Sequence, residues 1–96
     1  MKLVSVSPSP LATKKLVAVF EMDDGKTRRT HFGARNYDDY TITHDKEQRD
    51  RYWTRHAKDL KTEDPTKAGF CSLFILWGKY TSVKKNVAEY KRLFDL

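Results

Sequence analysis

Apolar and polar residues alternate along the first third of the chain, and then the period changes. Residues 2–7, KLVSVS, predict a short strand with Val4 and Val6 on one face. Pro8 and Pro10 close it, because proline donates nothing to a strand ladder, and SPSPLATK reads as a loop. Residues 15–22, KLVAVFEM, put Leu16, Ala18, Phe20 and Met22 on one face and Val17 and Val19 on the other. A strand that is apolar on both faces belongs in the middle of a sheet. Asp24-Gly25 has the composition of a two-residue hairpin turn, so KTRRTHFG is the returning strand. That loop length pairs Asp23 with Lys26, Glu21 with Arg28, Val19 with Thr30 and Val17 with Phe32. The other face then sets Phe20 against Arg29 and Met22 against Thr27. Two pairs of opposite charge on one face agree with this register. Arg28 and Arg29 guard an edge strand against pairing with other chains.

After Gly33 the period lengthens. Residues 34–44, ARNYDDYTITH, predict irregular structure. Asp45 with Gln48 has the form of a capping box, and a helix follows to about Leu60. Tyr52, Trp53, His56 and Leu60 form its apolar stripe; Arg51, Arg55 and Lys58 fall on another face. Asp64 before Pro65 predicts the N-cap and first position of a second helix. The run from Phe70 to Trp77 is apolar almost all round, which makes it the expected most buried element. Gly78 is expected to stop it in a left-handed conformation. Thr81 or Ser82 caps a last helix through Leu93, lined inside by Val83, Val87, Tyr90 and Phe94. Lys84, Lys85, Lys91 and Arg92 stay outside. The expected architecture is a single α+β domain over residues 1–96. It is a three-stranded antiparallel sheet followed by two to three helices packed on one face, since neither layer buries its apolar side alone.

Composition sets limits on this picture. The chain has 96 residues, of which 39% are hydrophobic and 12% aromatic, enough for a modest core. A chain of this length buries only about 60–65% of the surface its unfolded form exposes, so assembly with a partner would add stability. The longest apolar run falls far short of the roughly 20 residues a membrane-spanning helix needs. The start, MKLVSVSPSP, lacks the apolar centre of a secretory signal. The expected protein is not transmembrane. Nineteen Lys and Arg against thirteen Asp and Glu give a net charge of +6. That charge favours anionic partners, such as nucleic acid, an anionic membrane surface or an acidic protein, or it serves solubility alone.

Candidate chemistry changes the picture little. His31, His44, His56 and Cys71 are spaced by 13, 12 and 15 residues, with no close pair of the kind structural zinc sites use. No metal is expected, and Cys71, inside FCSLFILW, reads as a buried small hydrophobe. Asp38, Asp39 and Asp45 gather near His44; such a cluster serves as an acid–base device or as a set of caps. The four glycines are isolated, so no phosphate-cradling loop is expected. No catalytic residue or cofactor is expected, and the chain is read as a non-enzyme. The interleaving RDRYWTRH carries more weight. Arg49, Arg51 and Arg55 bracket Tyr52 and Trp53 on one helix. Arginine binds phosphate and carboxylate in a bidentate way, and aromatic rings stack on bases. Spacing turns Trp53 and His56 inward, so the core and a nucleic acid compete for this helix. The candidate interface or anion-binding residues are Arg28, Arg29, Arg49, Arg51, Arg55, Lys84, Lys85, Lys91 and Arg92.

The stretch HFGARNYDDYTITHD, then RDRYWTRH, then DPTKAGF, then ILWGKYT and a last helix, resembles a small family of uncharacterised proteins. Those proteins are encoded by large double-stranded DNA viruses of algae and amoebae. The resemblance covers about residues 29–94. The chain departs from the pattern at Cys71, where an aromatic is expected, and at Tyr80, where proline is expected. The resemblance implies a viral origin and names no activity. It implies a virion component, a minor capsid or shell-associated protein touching capsid or other virion proteins. The alternative is a basic DNA-associated protein of the viral core, or of the virus factory in the host cytoplasm.

Overall fold

Three strands, β1 (Lys2–Pro8), β2 (Lys14–Glu21) and β3 (Thr27–Ala34), form an antiparallel sheet in the order β1-β2-β3. The strand apolar on both faces, β2, is central. The computed structural model describes residues 1–96. In β1, Leu3 sits opposite Phe20, Ser5 opposite Val19 and Val6 opposite Ala18, so Val4 is an extra residue. This bulge returns Leu3 and Val6 to the face of Phe20 and Ala18. Leu3 is therefore buried and Val4 is 59% exposed. Val4 and Val6, expected on one face, are split by the bulge, and it is Leu3 and Val6 that share a face.

The hairpin register is also corrected, by one residue. Glu21 faces Thr27, Phe20 faces Arg28, Ala18 faces Thr30 and Leu16 faces Phe32. The turn is longer than two residues: the Met22 amide donates to the Lys26 carbonyl at 2.8 Å and the Gly25 amide to the Met22 carbonyl at 2.9 Å. Gly25, at φ +82°, supplies the left-handed residue a three-residue loop requires. A one-residue slip turns a whole strand over. In the observed register Phe32 joins Phe20 and Ala18 in the core, and all three are fully buried. Burial of Phe32 outweighs two exposed charge pairs, each worth less than about 1 kcal/mol.

Beyond the sheet, Asp39 caps a single helical turn, α1 (Tyr40–Thr43), in a region expected to be irregular. His44, at φ 57°, ends it. Asp45 caps α2 (Lys46–His56), accepting from the amides of Glu47 and Gln48. The return arm of the expected box is absent: the Asp45 amide donates to the Thr43 hydroxyl, and that hydroxyl donates to the Gln48 side chain. After His56 the chain tightens into a 3-10 turn, Ala57–Thr62, which carries Leu60.

Asp64 does not start the next helix. It accepts from the amide and hydroxyl of Thr66 at 2.9 and 2.6 Å, making a local turn. The helix α3 (Ala68–Cys71) begins later and widens into a π turn, Ser72–Leu76. There the Trp77 amide reaches back five residues to the Ser72 carbonyl at 3.1 Å. This segment is the most buried of the chain, as its composition dictates. Gly78 is not left-handed. It is there because a Cβ would run into the Phe74 carbonyl oxygen and press on the Asn86 side chain.

Ser82 caps α4 (Val83–Phe94), accepting from the Lys85 amide at 3.2 Å. Tyr90 is fully buried, and its hydroxyl donates to the Pro65 carbonyl at 2.6 Å. Asn86, on the same helix, is 1% exposed. Its amide donates to the carbonyls of Ile75 and Tyr80 and accepts from the Tyr80 amide, all at 2.8 Å. It ties the loop after the π turn to α4. One core joins the sheet residues Leu3, Ala18, Phe20 and Phe32 to Tyr40, Phe70, Ile75, Leu76, Trp77 and Tyr90. No helix is long and apolar enough to cross a membrane.

Candidate functional site

Helix α2 divides two depressions. Gln48, Tyr52, Arg55 and His56, spaced at helical intervals, face a cleft of about 640 Å³. The sheet end forms its other wall, through Lys14, Lys15, Phe32, Gly33 and Ala34, continued by Tyr37, Asp38 and Asp39. Arg49, Asp50 and Trp53, one residue further round the helix, face a groove of about 400 Å³ against Phe74, Lys79, Glu89, Tyr90 and Leu93. Trp77 borders both.

The cleft is polar and internally paired. Lys15 Nζ donates to Asp39 Oδ2 at 2.6 Å; Asp39 is 2% exposed and the Lys15 side chain 14%. The other Asp39 oxygen accepts from the Thr41 amide at 2.8 Å and from the Thr41 hydroxyl. A buried carboxylate needs such saturation, since removing a charge from water costs several kcal/mol, roughly, unless partners replace the solvent. On the opposite wall His56 Nδ1 lies 3.6 Å from Asp59 Oδ2. Gly69 makes room for that carboxylate, because a Cβ there would press on Asp59. Tyr52 is sandwiched, 4.1 Å from the His56 ring and 4.2 Å from the Trp77 ring. Burial pushes the Tyr52 hydroxyl above its usual range, and a hydrogen bond with Ser72 partly offsets this. These contacts lock the wall residues in place.

The groove is aromatic. Phe74 meets Trp53 edge-on at 5.1 Å and stacks on Tyr90 at 5.4 Å. The Trp53 indole donates to the Trp77 carbonyl at 2.6 Å. Leu93 stands on the rim, 47% exposed.

The basic residues singled out in the sequence fall into three groups. Arg28 and Arg29 lie exposed on the free edge of β3. Arg51 and Arg55 are exposed on α2, and Lys84, Lys85 and Lys91 on α4; none of these five holds an ion pair. Arg49 and Arg92 are engaged. Arg49 lies over the Tyr40 ring at 4.9 Å and 3.4 Å from Asp50. Arg92 grips the Glu89 carboxylate, which holds that acid below its ordinary range. Of the nine, Arg55 alone belongs to the cleft and Arg49 alone to the groove.

The candidate zinc ligands are scattered, and no group of three His, Cys, Asp or Glu is placed to hold a metal. His31 bonds to the Ser9 hydroxyl at 2.7 Å, and His44 is the exposed stop of α1. Cys71 is fully buried, and desolvation pushes its thiol up to about 12. The acidic cluster is resolved into caps: Asp39 on α1 and Asp45 on α2, with only Asp38 and Asp39 reaching the cleft.

The sequence missed the cleft because Lys15 and Asp39 are 24 positions apart. The helix periodicity assigns Tyr52 and His56 to the core stripe and Arg55 to another face, whereas the structure brings all three to the cleft. No curated protein and no solved structure matches the chain. A family model does match, over residues 4–56, more than half of the chain and the part that supplies the sheet and all of α2, so the chain belongs to DUF5754, a family of unknown function.

Proposed function

We propose that the protein is a non-enzymatic structural component of a virus particle, a minor capsid or shell-associated protein that acts by contacting capsid proteins. The observation that carries this reading is the α2–α4 groove. Its wall is Trp53, Phe74 and Tyr90 and its rim is the exposed Leu93; two cations, Arg49 and Lys79, and two acids, Asp50 and Glu89, flank it, the acids being paired to Arg49 and Arg92. Protein interfaces concentrate their energy in aromatic and arginine anchors of this kind. The occupant we assign is an acidic segment of a neighbouring capsid protein that inserts an apolar side chain beside Leu93. The unpaired cations on both helices, Arg51, Lys84, Lys85 and Lys91, would favour such a segment over a basic one. The viral part of the reading rests on the resemblance of residues 29–94.

Quantitative mass spectrometry of purified particles, split into shell, membrane and nucleoid fractions, tests it. Recovery with the shell is expected, and Leu93→Asp should cut shell recovery at least tenfold. Recovery with the nucleoid would replace this reading with DNA binding through the unpaired cations. That binding would weaken with salt, with a log–log slope of about −0.9 for each phosphate neutralised. Absence from every fraction would overturn both.

A further inference from the structure

The polar cleft is not used by the contacts proposed above, and its chemistry points elsewhere. Its volume, about 640 Å³, falls within the roughly 300–1,000 Å³ of small-molecule sites. Most of the acids on its walls are already committed. Asp39 is saturated by Lys15 and Thr41, and Asp59 faces His56. Two cations are not committed. The side chains of Lys14, half-buried on the sheet wall, and Arg55, on the α2 wall, make no hydrogen bond or ion pair with the protein. Asp38, exposed at the mouth, has no partner. With His56 neutral, the two lysines and one arginine of the cleft balance its three aspartates, but Lys14 and Arg55 are the cations left without a partner, and these spare donors come from two walls.

An arginine and a lysine on separate walls of one cleft suit a phosphate group, which accepts bidentate donation from a guanidinium and a point charge from an ammonium. A flat ring also has a place to lie. Tyr37 lines the cleft with 74% of its surface exposed and stacks on no other ring. Both faces of Tyr52 are taken, by His56 and Trp77, so Tyr37 is the aromatic surface left for a ligand.

From these groups we propose that the cleft binds a small phosphorylated molecule carrying a flat ring, with the phosphate between Lys14 and Arg55 and the ring on Tyr37. The ordered Lys15–Asp39 and His56–Asp59 pairs hold the walls before the ligand arrives, so little reorganisation accompanies binding.

The test is amide-resolved NMR titration of the full chain with two probes, inorganic phosphate and adenosine monophosphate. Saturable shifts are expected at the amides of Gly33, Ala34 and Gly69 with both. Adenosine monophosphate should bind at least fivefold more tightly. Arg55→Gln should weaken both probes at least tenfold, and Tyr37→Ala should remove the advantage of adenosine monophosphate while leaving phosphate unchanged. Arg55 and Tyr37 are exposed, so neither variant threatens folding. Lys84→Gln, on α4, should change neither probe. Absence of saturable shifts at the cleft overturns the proposal. So does equal affinity for the two probes, or a response that follows Lys84 rather than Arg55. None of these results bears on the groove, whose test reads particle fractions.

Discussion

The cleft and the groove are cut on either side of the same helix, yet different forces hold them. The cleft wall is fixed by charge: Lys15 against Asp39, His56 near Asp59. The groove wall is fixed by ring contacts among Trp53, Phe74, Tyr90 and Phe94. Rings contribute area and shape without needing partners for polar atoms, so such a wall tolerates changes of salt and pH. A wall built on buried charge is more specific and more fragile, because loss of one partner strands the other. The helix between them separates a surface suited to a protein side chain from one suited to a polar ligand.

The sharpest way to break this contrast is Asp39→Ala. It removes the α1 cap and leaves Lys15 unpaired in a nearly closed site. The expected loss is about 3–5 kcal/mol in urea denaturation. Adding Lys15→Met should restore part of it, since no stranded charge then remains. A double variant no more stable than the single one would mean that the ion pair is incidental to the wall.

Phe74→Ala comes next. Phe74 is only partly buried but touches the rings of Trp53, Phe70, Tyr90 and Phe94. The expected cost is about 3 kcal/mol, the lower end for a phenylalanine truncation. Its chemical-shift changes should centre on the groove and spare Gly33 and Ala34. Equal disturbance of the cleft amides would show that the two depressions are one mechanical unit.

The smallest expected effect is on pH dependence. Hydrogen bonds from Thr66 hold the Asp64 carboxyl below its ordinary value. A carboxylate lowered in the folded state adds stability that is complete above its unfolded pKa of about 3.9 and is lost as pH falls through the folded value. Asp64→Asn should therefore flatten the fall of stability below about pH 4 and leave the slope near neutrality unchanged. Melting curves across that range check it. Asp64 lies outside both depressions, so any effect on ligand or shell binding would contradict the division drawn here.

Local signals were legible in the sequence and non-local ones were not. The central position of β2 followed from its two apolar faces. The cap Asp45, and Ser82 as one of two candidates with Thr81, followed from side chains that accept from the next turn, and the burial of Phe70–Trp77 from its composition. The hairpin register differs from the expected one because Asp24-Gly25 suggests a two-residue turn, with charge pairs in agreement, while burial of Phe32 imposes a three-residue loop. The single turn α1 depends on Asp39, whose pairing with Lys15 forms only after folding. The role of Asn86 carries no sequence signal, because its three hydrogen bonds go to Ile75, eleven positions away, and to Tyr80, six away, in a loop outside the helix. The cleft joins the strand end near Lys14 to the helix bearing Arg55, and no window along the chain contains both.

The wide turn at Ser72–Leu76 has a consequence for how this chain can change over generations. Its closing bond spans five residues, where an ordinary helix spans four. Deleting one residue there would let the segment relax to the common helix. The extra residue is absorbed within the wide turn, so its loss would leave the residues on either side near their present angles about the axis. Trp77 would keep its place against Tyr52, and the corner that the cleft and the groove share would survive. A deletion inside α2, which has no such slack, would turn everything beyond it by about 100°. Length is thus a looser trait in the wide turn than in α2, where a single-codon loss would disable both depressions at once.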